Sequence, residues 1–216
     1  IGLSASGRTG PVEHVLRASA GSVERENRSD AGLLDTSEGR RLKFGWSPSA
    51  EVLGGVLTGL ADWEREDYQR ADVEFGGLTD ADETFETAGL AAEYRRSLGG
   101  LDVSVSARHD INDGRFDDAT TWRVGAAHEL GGGSRLRASA GTGVKNPTFT
   151  ELFGFFPGSF IGNPNLEPET SLSYEFGWEA SLADAQVSAT YFRADLEDEI
   201  FTAFNPDFTS TARNRT

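Results

Sequence analysis

Hydrophobic and polar residues alternate with a period of two along much of this 216-residue chain. Leu101, Val103, Val105 and Ala107 fall on one side of such a run, with Asp102, Ser104, Ser106 and Arg108 on the other. Leu172, Tyr174, Phe176, Trp178, Ala180 and Leu182 repeat it against Ser171, Ser173, Glu175, Gly177, Glu179 and Ser181. A helix cannot keep residues i, i+2 and i+4 on one face, whereas the pleat of a β-strand does so by its geometry. Shorter runs of the same kind are Leu42, Phe44, Trp46; Leu53, Leu57, Ala61, Trp63; Leu136, Ala138, Ala140; and Val187, Ala189, Tyr191. Turn residues at 7–11, 47–50, 98–100, 130–134 and 182–185 predict tight hairpins between them. Successive turns lie roughly 30 to 50 residues apart, room for a strand out, a longer loop and a strand back. The pattern predicts about nine complete antiparallel strands, with partial ones at residues 1–6 and 210–216, and short turns alternating with long loops.

The polar side of these runs carries Arg41, Lys43, Glu93, Arg95, Asp102, Arg123, Glu129, Arg135, Arg137, Glu175 and Glu179. Unpaired charges in a dry core cost several kcal/mol each, so this face belongs in water. No apolar run is long enough for a membrane-spanning helix, and the most apolar window, Val52 to Ala61, is broken by Gly54, Gly55, Thr58 and Gly59. A spanning β-strand needs only about 9 to 11 residues with every second one apolar, so the mean hydropathy of −0.42 does not decide the matter. Two arrangements fit. In a transmembrane β-barrel the apolar face meets lipid, the charged face lines a wet lumen, and Trp46, Trp63, Trp122, Tyr174 and Trp178 are candidates for interfacial girdles. In a soluble two-sheet protein the same apolar faces pack against each other.

The 20 basic and 35 acidic residues give a formal charge of −15, which repels a phosphate backbone and argues against nucleic acid as a partner. Without cysteine there is no disulfide, thiolate metal site or cysteine nucleophile. The imidazoles are His14, His109 and His128; only His109 has an adjacent carboxylate, Asp110, and neighbours on a strand point to opposite faces. There is no Gly-x-Ser-x-Gly elbow or His-Glu-x-x-His pair, and Gly141-Thr-Gly-Val-Lys-Asn146 is not a phosphate-cradling loop. An enzyme is not expected; a hydrolase on a small barrel is the outlying alternative. The chain opens at Ile1 without a basic and apolar leader, which predicts a piece of a longer protein.

Residues 145–168 break the rhythm with five phenylalanines and several prolines. Phe153, Phe155, Phe156 and Phe160 are candidates for an aromatic lip that contacts a hydrophobic or macrocyclic ligand. The structural alternative has Pro164 and Pro168 stiffening the return, Asn163 and Asn165 forming side-chain turns, and the phenylalanines packing within the loop. Gly162-Asn-Pro-Asn-Leu-Glu-Pro-Glu169, flanked by Arg137 to Gly143 and Ser173 to Gly177, and the later Ala189-Thr-Tyr-Phe-Arg-Ala-Asp-Leu-Glu-Asp-Glu-Ile200, resemble TonB-dependent outer-membrane receptors. The likeness covers residues 134–204 in motif and the earlier part in hairpin rhythm. Phe153-Gly-Phe-Phe156 followed by Gly-Asn-Pro-Asn-Leu is most similar to the vitamin B12 branch, and catecholate siderophore receptors share the Asn-Pro-Asn-Leu-x-Pro-Glu theme.

The resemblance implies an all-β protein, in which residues 1–216 are a partial barrel domain, about half of a 22-stranded antiparallel barrel plugged by a separate N-terminal domain that is absent here. It implies a receptor and active transporter in the outer membrane of a Gram-negative bacterium, surrounded by outer-membrane lipid. The cargo would be cobalamin or a ferric siderophore, and the TonB complex, acting through the missing plug, would supply the energy. Asn163, Pro164, Asn165, Leu166, Pro168 and Glu169 then form a family motif with a structural part. A passive porin or structural barrel is the alternative from another class. Half a barrel leaves two unpaired strand edges, so the piece is not expected to insert alone.

No resident cofactor is expected. Residues 62–86 hold ten acids against Arg65 and Arg70, a density that suits calcium but also a solvated acidic rim. In Asp110-Ile-Asn-Asp-Gly-Arg-Phe-Asp-Asp118 the glycine falls one position early for a calcium loop, and turn chemistry explains the sequence better. Asp195, Glu197 and Glu199 read as a wet strand end.

Overall fold

The structure, a computed structural model, describes residues 1–154, 159–182 and 184–215. The first eight strands are β1 (Gly2–Thr9), β2 (Val12–Ser29), β3 (Gly32–Val52), β4 (Gly55–Asp72), β5 (Ala81–Leu98), β6 (Leu101–Asn112), β7 (Ala119–Gly131) and β8 (Ser134–Lys145). After a short helix α1 (Phe149–Phe153) come β9 (Phe160–Ile161), β10 (Glu169–Leu182), β11 (Ala185–Glu197), β12 (Glu199–Phe204) and β13 (Ser210–Arg215). Strands β1 to β8, β10 and β11 form one ten-stranded antiparallel sheet in sequence order, while β12, β13 and β9 form a separate three-stranded sheet. The ten strands make an open section of barrel wall. The expected partial strand at 1–6 is the wall's first edge, but the one at 210–216 belongs to the smaller sheet.

Across a band of the wall strands one face is predominantly apolar, and that face lies open: Leu3 is 72% exposed, Phe176 53% and Tyr191 60%. Among the described residues the buried apolar set is only Leu152, Leu166, Ala180 and Ala212. A two-sheet sandwich would bury these apolar faces against each other, so that arrangement is overturned. Of the indoles on this face, Trp46 Nε1 donates to His14 Nδ1 at 3.3 Å and Trp178 Nε1 donates to Ser134 Oγ at 2.8 Å. No described helix is long and apolar enough to cross a membrane.

Two sequence expectations change. The turn predicted at residues 47–50 sits at Leu53 and Gly54, both at positive φ (50° and 75°), as a two-residue hairpin turn between right-twisted strands requires. Residues 47–50 instead remain inside β3. Pro48 has no N–H to give, and β3–β4 pairing is recorded on either side, at Trp46↔Ala61 and Ser49↔Thr58. The long loops are also shorter than expected, because the strands run on past the apolar band. β2 and β3 have 18 and 21 residues and are joined through Asp30 and Ala31, and between β4 and β5 only residues 73–80 lie outside strands. Beyond Leu42 and Trp63 the outward face becomes polar, with Arg40, Arg65, Asp67 and Glu86, so the extensions need no apolar surroundings.

Candidate functional site: the charged inner wall and the clamped lip

The face opposite the apolar one carries paired charges. On β3 and β4, Lys43 Nζ lies 2.9 Å from Glu64 and 3.8 Å from Asp62, and Arg41 contacts both Glu64 and Glu66. Arg108, on β6, reaches past β5 to grip Asp62 on β4, with Nη1 to Oδ1 at 2.8 Å and Nη2 to Oδ2 at 3.3 Å. Its Nε also donates to Asp110 Oδ1 at 2.9 Å. The crossing depends on Gly89 of β5, where a Cβ would lie 2.6 Å from Arg108 Cζ and 2.7 Å from Asp62 Oδ1. Arg137 of β8 repeats the device. It crosses Gly177 of β10 to donate to Thr190 Oγ1 on β11 at 3.0 Å, and it also contacts Glu175 and Glu179. A recess of about 650 Å³ on this wall is lined by Glu93, Arg95, Asp102, Arg123, Arg137 and Glu175. This many charges on one face requires water or a polar occupant beside it.

The acids of residues 62–86 therefore do not stand as one open cluster. Asp62, Glu64 and Glu66 face Lys43, Arg41 and Arg108, while Asp67 and Glu86 pair with Arg65 at 2.9 and 3.2 Å. Among the described residues, no three His, Asp or Glu side chains form a group able to hold a metal ion. In the 110–118 segment the carboxylates serve the backbone. Asp118 accepts from the Asn112 amide at 3.0 Å, and Asp113 accepts from the amides of Arg115 and Glu86.

The loop between β8 and β10 closes on the strand pair Lys145↔Glu169, whose side chains lie 3.2 Å apart. Thr148 begins α1 with a capping box: the Glu151 amide donates to Thr148 Oγ1 at 3.3 Å and the Thr148 amide donates to Glu151 Oε2 at 2.7 Å. The helix buries Leu152 against Leu166 and Ala212. Asn163 donates from Nδ2 to the Ala212 carbonyl at 3.0 Å and accepts from the Asn165 amide at 3.1 Å. Asn214 accepts from the Glu167 amide and donates to the carbonyls of Glu167 and Asp198, at 2.9, 2.9 and 2.7 Å. Glu169 Oε1 accepts the Ile200 amide at 2.6 Å. Pro164 and Asn165 lie exposed on the turn, and Pro168 is half-buried just before β10. The motif residues thus clamp the lip loop onto the β12–β13 hairpin.

Of the four phenylalanines named from sequence, Phe153 and Phe160 pack against the Leu152 cluster, while Phe155 and Phe156 lie outside the described residues. The structure adds aromatic partners that alternation did not single out. Phe149 stacks on Phe85 at 4.3 Å and on Tyr68 at 5.1 Å, and Phe116 meets Phe85 edge-on at 5.8 Å. The Arg115 guanidinium lies 5.1 Å from the Phe85 ring and 5.3 Å from Phe153, held by Glu83 at 2.6 Å. The Thr148-x-x-Glu151 spacing was the available signal, since a capping box predicts a helix that would turn Phe149 and Phe153 to one side.

The profile described as TonB dependent receptor-like, beta-barrel matches residues 5–215. The chain belongs to the TonB-dependent receptor β-barrel family. It is 30% identical over 153 residues to the vitamin B12 transporter BtuB of Vibrio vulnificus, covering 71% of this chain and 23% of that one. It is also 30% identical over 182 residues to the vitamin B12 transporter BtuB of Photobacterium profundum, covering 81% and 28%. Among solved structures, the ferric enterobactin receptor PfeA of Pseudomonas aeruginosa superposes with a TM-score of 0.78 at 18% identity, over 99% of this chain and 38% of that one. The chain therefore spans about a quarter of the length of these curated relatives. Within the family the chain supplies part of the barrel, and the family's members are transporters and receptors, not enzymes.

Proposed function

We propose that this receptor-family chain is part of an outer-membrane transporter that takes up a large scarce nutrient, cobalamin or a ferric siderophore, with energy from the TonB complex. The observation that carries the reading is the inverted wall: apolar side chains face outward, and paired charges face inward beside a lip clamped by Asn163, Asn214 and Glu169. Such a wall suits lipid on one side and an aqueous or polypeptide-filled lumen on the other. The cobalamin option is supported by relatives named as vitamin B12 transporters, and the siderophore option by the likeness to PfeA. In this reading Phe153 and Phe160 anchor the lip, and Phe155 and Phe156 are the lip's contacts with cargo. A passive porin would share the wall without needing the lip clamp.

The test is a titration of the complete receptor in detergent with cyanocobalamin and with a ferric catecholate, each with and without calcium. Tight, saturable binding of either compound is the expected result, and the compound that binds identifies the cargo class. Strengthening by calcium would give the acidic segment a ligand role. Binding of neither compound would refute the reading.

A further inference from the structure

The inner wall supplies most of its cations with partners through strand register. Lys43 lies directly opposite Glu64 and Arg41 opposite Glu66 on β4, and Arg135 of β8 lies between Glu129 of β7 and Glu179 of β10. Opposed residues on one face of a sheet are within reach of each other, and each of these cations meets a carboxylate. Two arginines on the same face depart from this. Arg17 of β2 stands between Ser4 of β1 and Gly45 of β3, and Arg123 of β7 stands between Ser106 of β6 and Gly141 of β8. Both are exposed, and among the described residues neither has an ion-pair or hydrogen-bond partner. A chain with 35 acidic and 20 basic residues has carboxylates to spare, yet register brings a serine and a glycine to each of these sites instead.

Hydroxyls and open space surround both guanidinium groups. The recess of about 650 Å³ beside Arg123 also presents Ser104 and Ser139, and one of about 600 Å³ beside Arg17 presents Ser4 and Ser19. At position 141 a Cβ would lie 2.8 Å from the Trp122 carbonyl oxygen and 3.3 Å from Arg123 Cβ, so glycine keeps the flank of that arginine clear.

We infer that Arg17 and Arg123 are oxyanion seats on the lumen wall, which hold in passing the phosphodiester of a cobalamin or the catecholate oxygens of a ferric siderophore. The inference rests on the transport reading above and assigns a chemistry to the lumen rather than to the outer loops. A guanidinium presents its donors as a planar fork that matches two oxygens at once, and neighbouring hydroxyls add further donors. Exposed charge pairs are weak, which suits contacts that form and release while cargo moves. Two seats of one design at separate places, β1–β3 and β6–β8, serve a moving anion, whereas a fixed contact needs only one.

The experiment uses cells carrying the complete receptor with Arg17→Gln, Arg123→Gln or both. Uptake of cyanocobalamin and of a ferric catecholate is measured in the cells, and binding of each is measured on the purified receptor. Binding is expected to stay unchanged, with uptake slowed about threefold by each single variant and about tenfold by the double, the scale of weak exposed contacts. Lysine at both positions should restore much of the uptake, because it keeps the charge. Unchanged uptake in the double variant overturns the inference and leaves the transport reading intact. Binding that falls in step with uptake also overturns it, since the arginines would then belong to capture or to folding. If the parent receptor neither binds nor takes up either compound, the transport reading fails and takes this inference with it. Phenylglyoxal labelling of the purified complete receptor gives a readout independent of cargo: Arg17 and Arg123 should be modified in anion-free buffer and protected by inorganic phosphate. Protection before phosphate is added contradicts the inference, because a group of the receptor itself would then fill the seats, and modification unaffected by phosphate contradicts it as well.

Discussion

Gly89→Ala separates a conformational reading of the inner wall from an electrostatic one, because the two predict opposite signs. Glycine within a strand is ordinarily worse than alanine by about 0.5–1 kcal/mol, so backbone preference alone makes the substitution stabilising. Here, however, the new methyl group would overlap the Arg108 guanidinium and the Asp62 carboxylate, which meet directly over Gly89. The Asp62 side chain is only 8% exposed, and removing one partner of a buried ion pair costs about 3–5 kcal/mol. Arg108 is 30% exposed and Lys43 remains 3.8 Å from Asp62, which places the loss nearer the bottom of that range. After the backbone gain, a net destabilisation of about 2 kcal/mol is expected. The assay is guanidinium unfolding of the complete receptor in detergent, with Gly39→Ala as control, since a Cβ there meets nothing within 4 Å. In an Arg108→Ala background the Gly89→Ala cost should vanish, as a double-mutant cycle would report. If Gly89→Ala proves as stable as Gly39→Ala, the cross-strand ion pair does not hold the wall together and the argument is wrong.

Two further outcomes test the lip. Phe149→Ala removes the ring stacked between Phe85 and Tyr68, and because the residue is only half-buried the expected local cost is about 2 kcal/mol, seen as faster hydrogen exchange across residues 148–154. Exchange rates unchanged there would show that the aromatic stack does not pin α1. At the hairpin tip, the Thr209 hydroxyl and then the Thr209 amide hold the Asp207 carboxyl below its usual range. A depressed carboxylate contributes fully above its unfolded value and is lost only as pH falls through its lowered one. Protection of the Thr209 amide should therefore persist at about pH 5 and fail only in stronger acid; loss of protection near the ordinary carboxylate value would contradict this.

Alternation was enough to read the two faces of each strand. Once Leu172 to Leu182 and Leu101 to Ala107 fall on one strand face each, the other face must carry their charged neighbours, because strand geometry admits no other placement. The lip motif was also visible as a string of Asn, Pro and Glu. Its physical part was not, because the partners of Asn163, Glu167 and Glu169 are Ala212, Asn214 and Ile200, more than thirty residues away. The turn at Leu53 and Gly54 was missed because Pro48 and its serine neighbours are strong turn formers, yet cross-strand pairing carried them inside β3.

The order of charges along the chain, taken alone, established that one face of each strand is polar and that the whole is acidic. It left open whether the apolar face is buried or outward, since both a sandwich and a barrel wall use the same period. Tertiary structure decided that point by leaving Phe176 and Tyr191 open and turning the charges toward one another. It also decided which charges meet. Arg108 and Asp62 are 46 residues apart in sequence and on non-adjacent strands, and they touch only because the residue between them in space has no side chain. Periodicity is local and survives in the sequence, whereas register between strands is a property of the folded sheet.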